Sequence, residues 1–381
     1  LVEEELIKAN LAATAKAYIL YRQERDEARQ IKGEVPKKVK ELAQASKEYF
    51  KNPLAEFIFY RTYARWIEDE NRRETWIETV DRYIGFMKEN LGEKLKKAEY
   101  DELREAILKQ EVMPSMRLMQ FAGPAARRTN VCAYNCSYIA PTKLSDLGEV
   151  MYLSMCGTGV GFSVESQTAQ QFPLIKRQTG KKLKTKVVDD SKEGWTEALV
   201  LGLETWFEGN DIDFDYSKLR PAGARLKTMG GKSSGPEPLI DLMVYTREKI
   251  IKNQGRRLSN LDIHDIICKI GEIVVSGGVR RSALISLSDL DDQEIRHAKD
   301  GQFYLTHPER ALANNSAVYD YKPSSVEFLD EWLSVMKGGS GYKGVVTAID
   351  HVSNTIHFRS HEKDVFGYHH YRGKLSNATV E

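Results

Sequence analysis

Cysteine is scarce in this chain of 381 residues, with four in all. That is too few for a disulfide scaffold and fits a reducing, cytoplasmic setting. Excess charge is missing as well. The 56 Lys and Arg residues balance 55 Asp and Glu, for a net charge of +1. A bulk nucleic-acid or membrane-surface role therefore has no electrostatic basis. No apolar run approaches the roughly 18 residues that a membrane-spanning helix needs. There is no initiating Met, and no charged segment leads into an apolar one, which argues against a signal peptide. The start at Leu1-Val2-Glu3-Glu4 falls inside an amphipathic pattern and implies a natural N-terminus further upstream.

Hydrophobic residues make up 41% of the chain and charged residues 29%, ordinary values for a globular protein of two or three domains. Residues 1–31 carry a helical stripe that includes Leu6, Leu11, Ala15, Tyr18 and Leu20. After a charged break at 32–38, the segment up to 113 is again helical in pattern, with Trp66, Trp76, Val80, Ile84 and Met87 on apolar faces. From Pro114 glycines become frequent and short β-rich runs alternate with helical ones. Strands are predicted at 131–139, 160–165 and 283–287. Helices are predicted at 145–155, 195–206, 239–252 and 262–275. Strands alternating with helices predict an α/β core with parallel pairing. The last segment, 345–381, holds five of the eight histidines, is β-rich, and fits the preceding layout poorly.

Two glycine clusters approach known phosphate motifs and miss them. Cys156-Gly157-Thr158-Gly159-Val160-Gly161 has the wrong spacing for a dinucleotide fingerprint and runs helix to strand, the reverse of the required order. Gly231-Lys232-Ser233 resembles the end of a P-loop, but Leu226 stands where that motif needs its first glycine. Flexible backbone, hydroxyls and cations still combine in two segments, 220–236 and 276–282, and that combination suits anion recognition. Ordinary solvated loops are the alternative for both. The basic run 176–186 contains a Thr-Gly turn signal and reads as a charged hairpin tip, with a polyphosphate contact as the second reading.

Cys132 and Cys136 fall in one predicted strand. At about 3.3 Å per residue their Cα atoms would lie about 13 Å apart, whereas a disulfide requires roughly 4.4–6.8 Å. A redox partner for either must come from elsewhere. Cys268 sits among Ile263, Ile266, Ile267 and Ile270 and reads as core, and Cys156 reads as packing. No pair of cysteines has zinc-finger spacing, and His369-His370 would point to opposite faces of a strand, so no metal site is expected.

Taken in order, several stretches resemble the large catalytic protein of ribonucleotide reductase, in its class II, cobalamin-dependent, triphosphate-reducing branch. They are Pro114-Ser115-Met116-Arg117, Ala122-Gly123-Pro124, Asn135-Cys136-Ser137-Tyr138, the run 155–165, Asp190-Ser191-Lys192-Glu193-Gly194-Trp195, the run 220–236, His264-Asp265-Ile266, the run 277–286, and Ala313-Asn314-Asn315-Ser316-Ala317-Val318. The resemblance covers residues from about 50 to 337.

That resemblance implies a partial ten-stranded α/β barrel (114–340) preceded by a helical N-terminal region (32–113). It also implies that 1–31 is the C-terminal remnant of an ATP-cone. The stretch from about 167 to 217 resembles the insertion by which monomeric members imitate a dimer partner, which implies a monomer. The implied cofactor is adenosylcobalamin, whose carbon–cobalt homolysis generates a thiyl radical that removes the ribose 3′ hydrogen. The implied partners are a ribonucleoside triphosphate substrate, dNTP and ATP effectors, and a thioredoxin-type reductant. By matching position, Cys136 would be one of the two reducing thiols, and Ser115 and Asn135 would lie near substrate. Lys227, Gly230, Gly231, Lys232 and Ser233 would belong to the first effector loop. Gly277, Gly278, Arg280 and Arg281 would belong to the second.

The pattern also departs from the family. The Asn-x-Cys-x-Glu finger motif that carries the radical cysteine, expected after residue 340, is absent. So are the second reducing cysteine and the C-terminal thiols. The segment 345–381 faintly resembles the interior of a protein-splicing element; a frameshift, an assembly junction or a divergent insertion are the other readings. The expectation is a reductase fragment without turnover, or the effector-binding portion of a split or interrupted reductase.

Overall fold

The computed structural model describes residues 37–226, 231–276, 284–319, 324–338 and 355–358, together with Thr14. Backbone contacts divide the chain between Pro114 and Ser115 into two compact units.

The described part of the first unit is mainly helical: α1 (Lys37–Lys47), α2 (Pro53–Thr62), α3 (Trp76–Leu91) and α4 (Lys97–Leu108). Helix α2 starts where Asn52 accepts a hydrogen bond from the Ala55 N–H and Pro53 takes the first turn, a position that needs no amide donor. Helix α3 opens with a capping box in which Thr75 and Glu78 satisfy each other's backbone N–H groups. Its Trp76 donates an indole hydrogen bond to the Leu108 carbonyl at 3.0 Å, tying α3 to α4. Phe59 meets the Trp76 ring edge-on at 5.5 Å. The wholly helical expectation needs one correction. Trp66–Ile67 pairs antiparallel with Arg72–Arg73, around a turn in which Asn71 takes a left-handed backbone. The guanidinium of Arg72 then reaches forward to grip Glu78 at 2.7 and 2.8 Å.

The second unit is built on a five-stranded sheet in which every pairing is parallel. In spatial order the strands are β1 (Cys136–Ile139), β2 (Gly159–Ser163), β3 (Leu284–Asp289), β4 (Ala313–Tyr319) and β5 (Thr355–Phe358). Helix α5 (Leu144–Met155) links β1 to β2. Helices α6 (Lys192–Phe207), α7 (Glu237–Lys252) and α8 (Asn260–Ser276) lie between β2 and β3, and α9 (Ser325–Gly338) lies between β4 and β5.

Parallel strands need helical crossovers, and those helices bury one face of the sheet. Val160, Phe162, Leu284 and Ala313 point to that side and join Leu147, Met151, Leu199, Leu203, Leu242, Ile266 and Ile270 in the main core. Close approach of the helices is set partly by Gly148 on α5. A Cβ there would stand 2.5 Å from the Val200 Cγ2 and 3.1 Å from the Thr196 Cγ2 on α6. The alternate positions, Tyr138, Ile285, Leu287 and Val318, cluster on the opposite face.

Three sequence-based assignments change. Residues 130–133 form a 3₁₀ turn, and the strand begins only at Cys136. The basic run 176–186 is no hairpin. It lies extended beside 209–215, with Thr179 and Leu183 donating to the Gly209 and Asp211 carbonyls and Lys186–Val187 pairing parallel with Phe214–Asp215. Its strand partner is a later segment, a pairing of high sequence separation that local turn signals do not report. Finally, Thr355–Phe358 from the histidine-rich segment joins the main sheet beside β4.

Candidate active site

Cys136 is the first residue of β1, and its neighbours follow from that placement. It shares a sheet face with Tyr138, two residues on, so its side chain lies on the side away from the helix layer. Among the four free cysteines it alone is exposed; Cys132, Cys156 and Cys268 are buried. Cys132 donates to the Thr129 carbonyl at 3.1 Å inside the 3₁₀ turn. The two thiols are thus separated by a turn and a change of environment, rather than by a length of strand.

The surroundings of Cys136 are polar. The Asn135 amide donates to its sulfur at 3.5 Å. Asn135 in turn accepts from the Nε of Arg117 at 3.4 Å, and its carbonyl accepts from the Gly159 N–H at 2.9 Å. The Arg117 guanidinium is buried and also donates to the Gly157 carbonyl. Gly157 has φ of +84°, and a Cβ there would sit 3.0 Å from that guanidinium, so both backbone and space demand glycine. Thr158 hydrogen-bonds the Leu153 carbonyl at 2.8 Å and meets the Ser137 hydroxyl at 3.2 Å. The glycine cluster at 157–161 is therefore a rigid strand entrance held against the segment that carries Cys136, not a phosphate loop. Ser115 is exposed, and its hydroxyl caps the short helix Met116–Phe121 by accepting from the Leu118 N–H at 3.4 Å. Through that helix it helps place Arg117.

The first glycine-bearing loop is a hairpin. Arg225 bridges Lys232 antiparallel, and the Gly223, Leu226 and Ser233 amides donate across it at 2.7–3.0 Å. Gly231 has φ of +92°. Lys232 is exposed, and the Ser233 hydroxyl accepts from the Gly235 N–H at 3.0 Å. The hairpin base is anchored by Arg220, which donates to Asp190 at 2.6 Å, next to the Ser191 cap of α6. Lys227 and Gly230 lie outside the described residues, as do Gly277, Gly278, Arg280 and Arg281 of the second loop, which connects α8 to β3.

One polar assembly is not evident in the sequence. On α8, otherwise rich in isoleucine, His264 and Asp265 are fully buried. Asp265 takes a two-pronged ion pair from Arg310, both contacts at 2.8 Å, and a second cation from Lys249 at 2.8 Å. His264 meets Asp265 at 3.2 Å and Asn315 of β4 at 3.0 Å. Burial alone would raise the Asp265 pKa, but His264, Arg310 and Lys249 hold it well below the usual carboxylate range. Burial works against charge on His264. The Cys268 sulfur and Asp265 outweigh it and raise the imidazole pKa. Asp265, His307 and Glu309 bring ligand-type atoms within 4.8 Å of one another. Both Asp265 oxygens already face Arg310 or Lys249, however, and Glu309 accepts from Tyr245 at 3.0 Å. The cluster is a charge network that fastens α7, α8 and the 308–315 segment, with both Asp265 oxygens taken up by cations. The adjacent His-Asp pair on an apolar helix was the only sequence signal for it, because the cation partners are 16 and 45 residues away.

Comparison with known proteins bears on this geometry. Residues 36–120 match the ribonucleotide reductase alpha domain, and residues 164–250 match the insertion domain of B12-dependent ribonucleotide reductase. An adenosylcobalamin-dependent ribonucleoside-triphosphate reductase of Euglena gracilis is 31% identical over 308 residues, covering 74% of this chain and 41% of that protein. A protein of the same name from Lactobacillus leichmannii is 30% identical over 330 residues, covering 69% and 44%. A crystal structure of a B12-dependent, class II ribonucleotide reductase superposes with a TM-score of 0.60 at 24% identity, covering 74% of this chain and 48% of that one. The chain spans less than half the length of these relatives. The shared fold is the α/β barrel architecture with its helical lead-in.

Proposed function

We propose that this chain, which belongs to the B12-dependent ribonucleotide reductases, supplies one reducing thiol and the effector loops of a ribonucleoside-triphosphate reductase. The observation that carries the reading is the setting of Cys136. It is the exposed cysteine among three buried ones, set at the mouth of a parallel strand, hydrogen-bonded by Asn135, on the sheet face opposite the main core. A thiol that must meet a second thiol from elsewhere needs such a place.

In this reading the substrate is a ribonucleoside triphosphate, reduced at its 2′ carbon while two thiols become a disulfide. Asn135, itself held by Arg117, would orient the Cys136 sulfur. Ser115 acts as a positioning residue through the Arg117 helix. The hairpin around Lys232 and the connection at 277–283 would take dNTP or ATP effectors, a thioredoxin-type protein would restore the dithiol, and the insertion would favour a monomer. Adenosylcobalamin would supply the initiating radical. Beside Cys136 the described residues offer hydrogen-bonding side chains and an exposed thiol, and by themselves they do not make the cobalamin site. No helix among the described residues is long and apolar enough to cross a membrane.

Alkylation of the native chain tests the assignment. Cys136 should react first, and a saturating ribonucleoside triphosphate should slow it; unchanged kinetics would refute the placement of substrate. With adenosylcobalamin and a dithiol, the chain alone should form no deoxynucleotide, because it contains no Asn-x-Cys-x-Glu motif. Turnover by the isolated chain would refute that reading.

A further inference from the structure

A second sulfur centre lies at the other end of the glycine cluster. Cys156 caps the C-terminus of α5 and is fully buried. The Lys192 Nζ stands 3.3 Å from its sulfur. Lys192 is the first residue of α6, fixed by the Ser191 cap, and its ammonium also lies 5.8 Å from the centre of the Tyr152 ring. The carboxylate next to it in sequence, Glu193, is engaged by Arg128 at 3.3 Å. Among the described residues no carboxylate forms an ion pair with Lys192, so its close polar contact is the thiol. A lysine partly buried against a fully buried cysteine, held by two helix termini and braced by an aromatic face, is an unusual use of a strongly hydrated cation.

The geometry points to Cys156 and Lys192 as an oxidative cross-linking site that forms a nitrogen–oxygen–sulfur bridge. The sulfur and nitrogen are spaced for a single oxygen atom to be inserted between them with little movement of either helix. With a peroxide as oxidant, the chemistry balances in two steps. The Cys156 thiol and one hydrogen peroxide give the sulfenic acid and water: the S–H bond and the peroxide O–O bond break, and an S–O bond forms. Lys192 then releases its ammonium proton to solvent. The neutral amine, the sulfenic acid and a second hydrogen peroxide give the S–O–NH linkage and two waters. Sulfur and nitrogen are oxidised, and both peroxides are reduced to water. The bridge would staple α5 to α6 immediately before the glycines that hold the Cys136 strand, so oxidation would stiffen the platform beneath the reducing thiol. This inference concerns residues with no part in the proposed reaction and stands whether or not that proposal holds.

The test treats the folded full chain with hydrogen peroxide, then digests it under non-reducing conditions for mass spectrometry. A cross-linked peptide pair containing Cys156 and Lys192 is expected, heavier than the two reduced peptides by about 14 Da, one oxygen gained and two hydrogens lost. It should be cleaved by dithiothreitol. In Lys192→Arg, which keeps the charge and whose folding is checked by circular dichroism, the species should fall by at least about tenfold. Cys156→Ser should abolish it. Three outcomes overturn the proposal: Cys156 recovered as free thiol or sulfinic acid with Lys192 unmodified, equal oxidation in Lys192→Arg, or a linked mass lacking the oxygen.

Discussion

Replacement of Asp265 by Asn should be among the most damaging single changes in the second unit, and its size follows from the contacts. The Asp265 side chain is fully buried, and the Arg310 side chain is 9% exposed. Both carboxylate oxygens receive Arg310, one also receives Lys249 and the other His264. An amide of the same shape keeps the volume but removes the charge, leaving the buried Arg310 guanidinium uncompensated, while Lys249 keeps Asp262 at 3.3 Å. Breaking one side of a buried pair in this way costs roughly 3–5 kcal/mol, a large part of the stability of an ordinary domain. The sign of the pH effect is set by the depressed pKa. The contribution is complete above the ordinary Asp range near 3.9 and is lost as pH falls through the much lower folded value. Urea denaturation of wild type and Asp265→Asn should therefore differ by about 3–5 kcal/mol at pH 7 and converge in strong acid. Because the chain divides into two units, the loss should appear in the transition of the second unit only. A loss below about 1 kcal/mol at pH 7, or one that persists unchanged in acid, would refute the charge network as the fastening of these helices. A double-mutant cycle with Arg310→Met then apportions the coupling.

Two further outcomes follow. Arg72 and Thr75 outweigh burial and pull the Glu78 pKa down to about 2, so Glu78→Gln should cost the first unit about 2 kcal/mol above pH 5, discounted for its 25% side-chain exposure. That difference should disappear as pH falls from 4.5 towards 2, and a pH-independent difference in thermal scans would contradict it. Gly148→Ala should destabilise the second unit by about 1–3 kcal/mol, because the added methyl meets two stiff branched side chains on α6; an unchanged melting temperature would show that the helices yield freely.

How far these features could be read in the sequence depended on distance along the chain. The alternation of β-rich runs and amphipathic helices predicted parallel pairing, and β1 to β4 pair that way, because each helix must return the chain to the same end of the sheet. Cys156 and Cys268 were readable as interior from their apolar neighbours. The boundary of β1 was not, since Val131 and Cys132 have strand-like character but are recruited into a turn whose hydrogen bonds only the fold reveals. The basic run was misjudged because its partner at 209–215 follows a whole helix later. In the candidate site, Cys136 and Asn135 were identified from their motif and stand in contact. The Arg117 contact to Asn135 and the lysine beside Cys156 were invisible because both join residues from different elements.

The position of Cys136 at the joint between a 3₁₀ turn and a strand has one more consequence. Downstream, its backbone is registered against Gly159. Upstream lie an exposed Asn135 and Tyr134 and a single turn of helix. Asn135 is itself tied, its carbonyl by the Gly159 N–H and its side chain by Arg117. The sulfur is therefore moored from both directions, so that an incoming atom must come to it while the ladder behind it stays in register.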